Sequence, residues 1–415
     1  MKYLILGSSA AGINGAKEIR KLDPKGEITL VSKDEAIYSR CIMHHYMSGK
    51  REMEELSFVE EDFFERYNIK WRGGTEAVGL DTEKKTVSLS SNEDMSYDKL
   101  LVATGSKTFF PPIKNMDKAK NVLGFRNIDD AVEIMELAKE KENIVIVGAG
   151  LVGVDAVAGL VNTKKNISLV EMADRLLSIQ LDKRASSTYE KAFEEKGVKF
   201  HFSVSVGEIV LDEEDKVKAL ILSDGTKIPC ELLIVAAGVR PNTEFLKDSE
   251  IELERGGLVI DPTGRTSHPD IYGAGDVTGW GPIWPVAVKE GIVAAGNMVG
   301  IKRKMTDFFT SKSTMNFCGV PTMSLGINEP KDDTYIVEIE EDEKGNYKKI
   351  IHKDGKILGA ILQGDLSYSG TLTQLIKENI DISRVKKSIF KIDYSDFFHV
   401  KDNFEFSYEE EAYNV

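Results

Sequence analysis

Apolar positions along the chain fall into short runs that break at glycine, and two of these runs are built alike. Tyr3 to Leu6 ends at Gly7, and Ile144 to Val147 ends at Gly148. Short runs of aliphatic and β-branched residues bounded by turn residues read as buried parallel strands. Each is followed by a predicted helix and a second apolar run, ending near Val31 in one case and at Val170 in the other. Residues 3–33 thus repeat the plan of residues 143–173: strand, Gly-rich turn, helix, strand.

The intervening pattern also recurs. A charged segment, Glu52 to Tyr67, predicts a helix, and Ala77–Leu80 and Thr86–Leu89 predict short strands. Leu100 to Val102 then runs into Ala103-Thr104-Gly105. In the second half, strands over Val204–Leu211 and Ala219–Leu222 precede Leu232 to Val235 and Ala236-Ala237-Gly238. Further on, Pro285 to Val299 predicts a long helix. Tyr335–Ile339, Tyr347–His352 and Ile357–Gln363 predict a three-stranded antiparallel meander, and Thr371–Asn379 a final helix.

Chemistry enters at the glycines. Gly148, Gly150 and Gly153 form G-x-G-x-x-G after a strand. The first allows the tight turn, the second lets a pyrophosphate approach the backbone, and the third lets helix and strand pack closely. The helix N-terminus offers free N–H groups and a positive dipole end. Glu171 lies 23 residues after Gly148, where a carboxylate binds both ribose hydroxyls and repels a 2′-phosphate, so NAD is expected rather than NADP. In the first turn, Gly7-Ser8-Ser9-Ala10-Ala11-Gly12, Ser9 replaces the middle glycine and Ser32 stands where Glu171 stands in the second. Ribose recognition there falls to another group, Asp34 or Glu35.

Composition narrows the class. The 415 residues are 41% hydrophobic with no apolar run long enough to span a bilayer, and Met1 to Gly7 reads as a first strand rather than a secretion signal. The cysteines Cys41, Cys230 and Cys318 form no C-x-x-C or His/Cys cluster, which points to a reducing cytoplasm and to no protein-bound metal. A net charge of −14 excludes nucleic acid as a natural partner.

Thr266-Ser267-His268-Pro269-Asp270-Ile271-Tyr272-Gly273-Ala274-Gly275-Asp276 resembles the flavin-contacting motif of the FAD-dependent pyridine nucleotide-disulfide oxidoreductase superfamily. Ala103-Thr104-Gly105 and Ala236 to Asn242 are similar to further motifs of that superfamily, and the likeness covers residues 1–300 in order. The resemblance implies an α/β fold with two Rossmann-like domains, FAD-binding (1–110 and 242–304) and NAD-binding (111–241), plus a small α+β interaction or dimerisation domain (305–415). It places FAD against Gly7, Ser9, Ala10, Ala11 and Gly12, against Ser32, Lys33, Arg40 and Val78, and against Ala103, Thr104, Gly105 and Asp276, with Asp276 on the ribityl chain. NAD(H) falls to Gly148, Gly150, Leu151, Val152, Gly153, Glu171 and Gly238, although Asp155 stands where the superfamily often has Glu. The helix from Pro285 would direct its N-terminus at the flavin.

The electron acceptor is less constrained. Ser39-Arg40-Cys41-Ile42-Met43-His44-His45-Tyr46 resembles in spacing the single-cysteine branch of NADH oxidases, NADH peroxidases and coenzyme A-disulfide reductases, which makes Cys41 a candidate redox thiol. Ile42 departs from that pattern, and Tyr38-Ser39-Arg40 also resembles the NADH:rubredoxin oxidoreductase and nitrite-reductase-like branch, in which no redox cysteine is needed. Ile357 to Asp365 resembles the small C-terminal domain of the latter. Spacing supplies no carboxylate partner for His44 or His45. The basic clusters Lys302-Arg303-Lys304 and Arg384, Lys386, Lys387, Lys391 are candidate docking sites for an acidic iron–sulfur carrier, rubredoxin or a ferredoxin-like protein. Trp280 and Trp284 are candidate flavin-edge aromatics. The expected function is passage of electrons between NADH and that carrier. The alternatives are single-cysteine chemistry at Cys41 or service as an electron-transfer subunit of a larger redox complex.

Overall fold

Strand Lys2–Leu6 lies at the middle of a five-stranded sheet, flanked in parallel by Glu27–Val31 on one side and Lys99–Val102 on the other. Tyr3 and Ile5 are buried on one face of the sheet and Leu4 and Leu6 on the other, which is why the run is apolar without alternation. The strand order, Ile271–Gly273, Lys99–Val102, Lys2–Leu6, Glu27–Val31, Ile69–Arg72, reverses direction at the first Gly-rich turn. Asn143–Val147 holds the same place in a second five-stranded sheet, between Asn166–Val170 and Leu232–Val235. In doubly wound sheets a ligand binds where the order reverses, at the carboxyl ends of the strands. The computed structural model describes residues 1–281, 283–305, 312–397, 399–400 and 406–407.

Small residues set the helix packing of the first sheet. Helix Ala10–Leu22 crosses helix Trp284–Met298 so closely that a Cβ on Gly291 would lie 2.3 Å from the carbonyl oxygen of Ala11. The long helix begins one residue earlier than predicted, at Trp284, with Pro285 in its first turn, where its missing N–H costs nothing.

The chain folds into two compact units, Met1–Val170 with Lys199–Thr310, and Glu171–Val198 with Ser311–Val415. The second unit is a five-stranded antiparallel sheet with helices Lys183–Glu194 and Ser369–Lys377. A buried network fastens the first of these helices to the sheet. The Asp182 carboxylate accepts the Ala185 N–H at 2.9 Å and the Tyr347 hydroxyl at 2.6 Å, and Lys349 Nζ lies 3.0 Å away. This division cuts across the expected 111–241 boundary, because segment 171–198 packs with residues 312 onward.

Two expectations change. Glu52–Tyr67 forms only a 3₁₀ turn, Glu54–Leu56, and a short helix, Phe63–Arg66; its aromatics pack on each other and on Trp71 instead of lining a helical stripe. The predicted three-stranded meander is present as Ile336–Glu341, Tyr347–Lys353 and Lys356–Gln363, but Lys312–Phe317 and Val320–Gly326 extend it to five strands. Those two strands carry Ser, Thr, Asn and Pro, and their turn, Cys318-Gly319, takes positive φ at both residues without the usual Asn-Gly signal. The aromatic and acidic tail beyond Ile389 lies largely outside the described residues, at 398, 401–405 and 408–415.

Candidate functional site

Both Gly-rich turns close on a backbone carbonyl that leaves no room for a side chain. Gly7 takes φ +112°, and a Cβ there would meet Ala103 O at 2.0 Å; Gly148 takes φ +105°, with Ala236 O at 2.4 Å. The turns therefore depend on Ala103-Thr104-Gly105 and Ala236-Ala237-Gly238, which lie beside them. At the last glycines the match is closer still. A Cβ on Gly12 would sit 1.8 Å from Gly7 O, and one on Gly153 1.9 Å from Gly148 O. Gly150 differs: its φ is −73° and a Cβ would meet nothing within 4 Å. Packing does not require glycine there, but a diphosphate approaching the N-terminus of helix Leu151–Leu160 does.

The first turn opens into a cleft. Gly7, Ser9, Ala10 and Ala11 line it at the helix N-terminus, with Ser32 and Lys33 from the next strand end and Ala103, Thr104 and Gly105 from the neighbouring one. Arg40, Cys41 and Asp276 complete the lining among the predicted residues. Gly12 lies beneath, in helix packing. Val78 stands outside: 55% of it is exposed, while Thr75, Glu76 and Ala77 form that wall.

Side-chain pairs hold the cleft open. Asp34 binds Arg40 at 2.6 Å and accepts the Tyr38 hydroxyl at 3.0 Å, so it serves as an anchor for Arg40 while Glu35 is exposed. Ser8 donates to Ser32 at 2.9 Å. Asn242 locks the Ala-Thr-Gly turn, donating to Thr104 O at 2.9 Å and accepting the Thr104 hydroxyl at its own carbonyl at 2.8 Å. Asp276 accepts Ser106 Oγ at 3.0 Å and pairs with Arg126. Arg126 and Asn242 were not expected here. Asn242 was visible only as the end of a motif, and nothing local to Arg126 announces a partner 150 residues away.

An acid at the far end of a turn has an unexpected neighbour. Asp155, in helix Leu151–Leu160, brings Oδ1 within 3.2 Å of His44 Nδ1, although that nitrogen makes no hydrogen bond. Burial pushes the Asp155 carboxyl well above its ordinary range and the His44 imidazole down to about 4. His44 stacks edge-on against His45 at 4.4 Å. The carboxylate partner absent from sequence spacing is thus supplied by the other nucleotide turn.

Cys41 lines the cleft in the 3₁₀ turn Arg40–Ile42, before a helix of only five residues, Met43–Met47. Although Cys41 is exposed to the cleft, the surrounding protein raises its thiol above the ordinary value and Asp155 adds to this, while a Ser39 hydrogen bond and Arg126 oppose it. Arg40, the cation next to it in sequence, is engaged by Asp34. Trp284 lines the cleft and packs edge-on against Phe58 at 4.7 Å, whereas Trp280 is exposed. Of the basic clusters, Arg303 pairs with Glu18 at 2.8 Å and Lys387 with Asp393 and Asp396, leaving fewer of their charges for docking than composition suggests. Glu171 accepts the Ala173 N–H at 2.7 Å.

Two parallel sheets, each with a Gly-rich turn at its reversal point and one turn opening into a cleft of mixed polar and apolar lining, define a two-nucleotide oxidoreductase. Residues 1–291 match the pyridine nucleotide-disulphide oxidoreductase model, and residues 312–380 match the rubredoxin NAD+ reductase C-terminal domain. The chain belongs to the pyridine nucleotide-disulphide oxidoreductase family, enzymes that use FAD and NAD(H). It is 29% identical over 93% of its length to the nitrite reductase [NAD(P)H] of Bacillus subtilis (strain 168), but spans only 48% of that protein. It is 27% identical to the NADH-rubredoxin oxidoreductase of Clostridium acetobutylicum, covering 94% of this chain and 97% of that one. Among solved structures, the NAD-dependent persulfide reductase from A. fulgidus superposes with a TM-score of 0.81 at 25% identity, over 92% of this chain and 77% of that one. Among the described residues no helix is long and apolar enough to cross a membrane.

Proposed function

We propose that the chain carries electrons between NADH and a small iron–sulfur protein, rubredoxin or a ferredoxin-like carrier, in a reducing cytoplasm. What carries this reading is the end-to-end likeness to a rubredoxin-reducing enzyme, C-terminal domain included. Bound FAD supplies the conversion between a hydride and single electrons that such a transfer needs. The chain's own residues do the rest. Residues 1–110 and 242–304 hold FAD, with the Gly7–Gly12 turn under its diphosphate and Asp276, braced by Arg126 and Ser106, facing its ribityl chain. Residues 111–241 hold NADH, with Gly150 at the diphosphate and Glu171 at the ribose, and residues 305–415 receive the carrier or a second copy.

A raised Cys41 thiol supports an external acceptor over thiolate chemistry. An anaerobic NADH titration followed in the visible spectrum tests this. One equivalent that bleaches the flavin, with NADPH far slower, is the expected result. Two equivalents with a growing long-wavelength thiolate-to-flavin band would make Cys41 the redox partner instead, and equal rates with both nucleotides would remove Glu171 from the ribose.

A further inference from the structure

Beneath the cleft lies a carboxyl group that this chemistry leaves unused. Glu290 sits in helix Trp284–Met298, one turn beyond Ala287, and is 2% exposed. Its Oε2 accepts the Gly275 N–H at 2.6 Å, leaving Oε1 as the oxygen to carry a proton. Ala287, Gly275 and Asp276 all line the cleft, so Glu290 stands directly behind its floor.

The groups around it are few. Helix Ala10–Leu22 turns Ala11 and Gly15 towards Gly291, and its acid, Glu18, is paired with Arg303 and Lys21. Strand Ile271–Gly273 contributes buried apolar residues, as does Leu101. Asp276 is the charge that acts on Glu290, and Asp276 is itself paired with Arg126. Lys289 precedes it on its own helix.

We propose that Glu290 is the proton-holding residue of the flavin cleft, taking one proton from solvent when two electrons enter and returning it as they leave. The proposal rests on the reading that this cleft holds FAD. NADH delivers both electrons and one proton as hydride. The additional proton forms an O–H bond at Oε1, and Glu290 is neither oxidised nor reduced. Negative charge added within a poorly solvated site raises the proton affinity of a nearby carboxylate. Burial, with Asp276 assisting and the Gly275 N–H opposing, already lifts this carboxyl to about 7, where a modest field moves it across physiological pH.

The test is the reduction potential of the FAD-loaded protein from pH 7 to 9, in wild type and Glu290→Gln, which keeps an acceptor for Gly275. Each pH unit should lower the equilibrium constant for reduction by up to tenfold more in wild type, about 30 mV for a two-electron couple. Parallel lines would overturn the proposal. A measurement without a variant is infrared difference spectroscopy of wild type, in which reduction should add a protonated-carboxyl C=O band; its absence overturns the proposal equally. A purified chain that takes up no FAD defeats the reading of the cleft itself, and this proposal with it.

Discussion

The two Gly-rich turns share a backbone and differ in what surrounds them. At Gly7–Gly12 the space beyond the glycines is walled by paired side chains, Ser8 with Ser32, Arg40 with Asp34, Arg126 with Asp276. At Gly148–Gly153 the helix entry is open at Gly150, which faces space that a Cβ would not fill, where the first turn carries Ser9. A walled site suits a group that stays through every turnover, and an open one suits a nucleotide that leaves after each. On the proposed assignment, the same strand–turn–helix unit serves as resident cradle or exchange port according to its neighbours, not its glycines.

The comparison breaks first at its common part. Gly12→Ala and Gly153→Ala each drive a methyl into a carbonyl oxygen at under 2 Å, and each should cost about 3 kcal/mol or more in denaturant unfolding. Unequal losses would mean that the two turns are not equivalent. Gly150→Ala sharpens the difference. It should leave the melting temperature unchanged and the FAD bound, yet raise KM for NADH roughly tenfold, about 1.4 kcal/mol of binding. A lower melting temperature would show that Gly150 serves packing.

Acid stability probes the pair that links the turns. His44 is held down to about 4 in the folded protein and titrates near 6.5 when unfolded, so the unfolded chain gains protons first as pH falls. Stability should drop between pH 6.5 and 4 by about 2 kcal/mol more in wild type than in His44→Gln. Identical pH profiles would remove His44 as a buried neutral base. The smallest effect is expected at Cys41→Ser, with NADH-to-carrier turnover within about twofold of wild type; a loss of turnover would return the thiol to the mechanism.

What the sequence made legible follows the range of the cause. Gly12 and Gly153 are demanded by a carbonyl of their own strand–turn–helix unit, and Gly7 and Gly148 by the Ala-x-Gly turn that recurs later in each half, so spacing within a repeated plan announced them. Ser9 and Asp276 were readable because a motif brackets them. Arg126, Glu290 and the Asp155–His44 approach were not, since each depends on a partner brought from another part of the chain and leaves no periodicity behind. Segment 171–198 was read with its neighbours in sequence because nothing in Asp182 itself says that Tyr347 and Lys349 will bury against it. The charged stretch 52–67 misled for the opposite reason: its acids suggested a solvated helix, while Phe63, Phe64 and Tyr67 decided the packing.

Strand Ile271–Gly273 pairs with Lys99–Val102, which it follows by some 170 residues. During synthesis at about 5–20 residues per second, the first sheet waits on the order of ten seconds for its last strand and its covering helix. Every strand of the second five-stranded sheet, from Val122–Gly124 to Leu232–Val235, is made within that interval. The ribosome thus delivers the middle of the chain ready to fold while the first sheet still lacks one edge strand, and the cleft lined from that side is the last part of this unit to form.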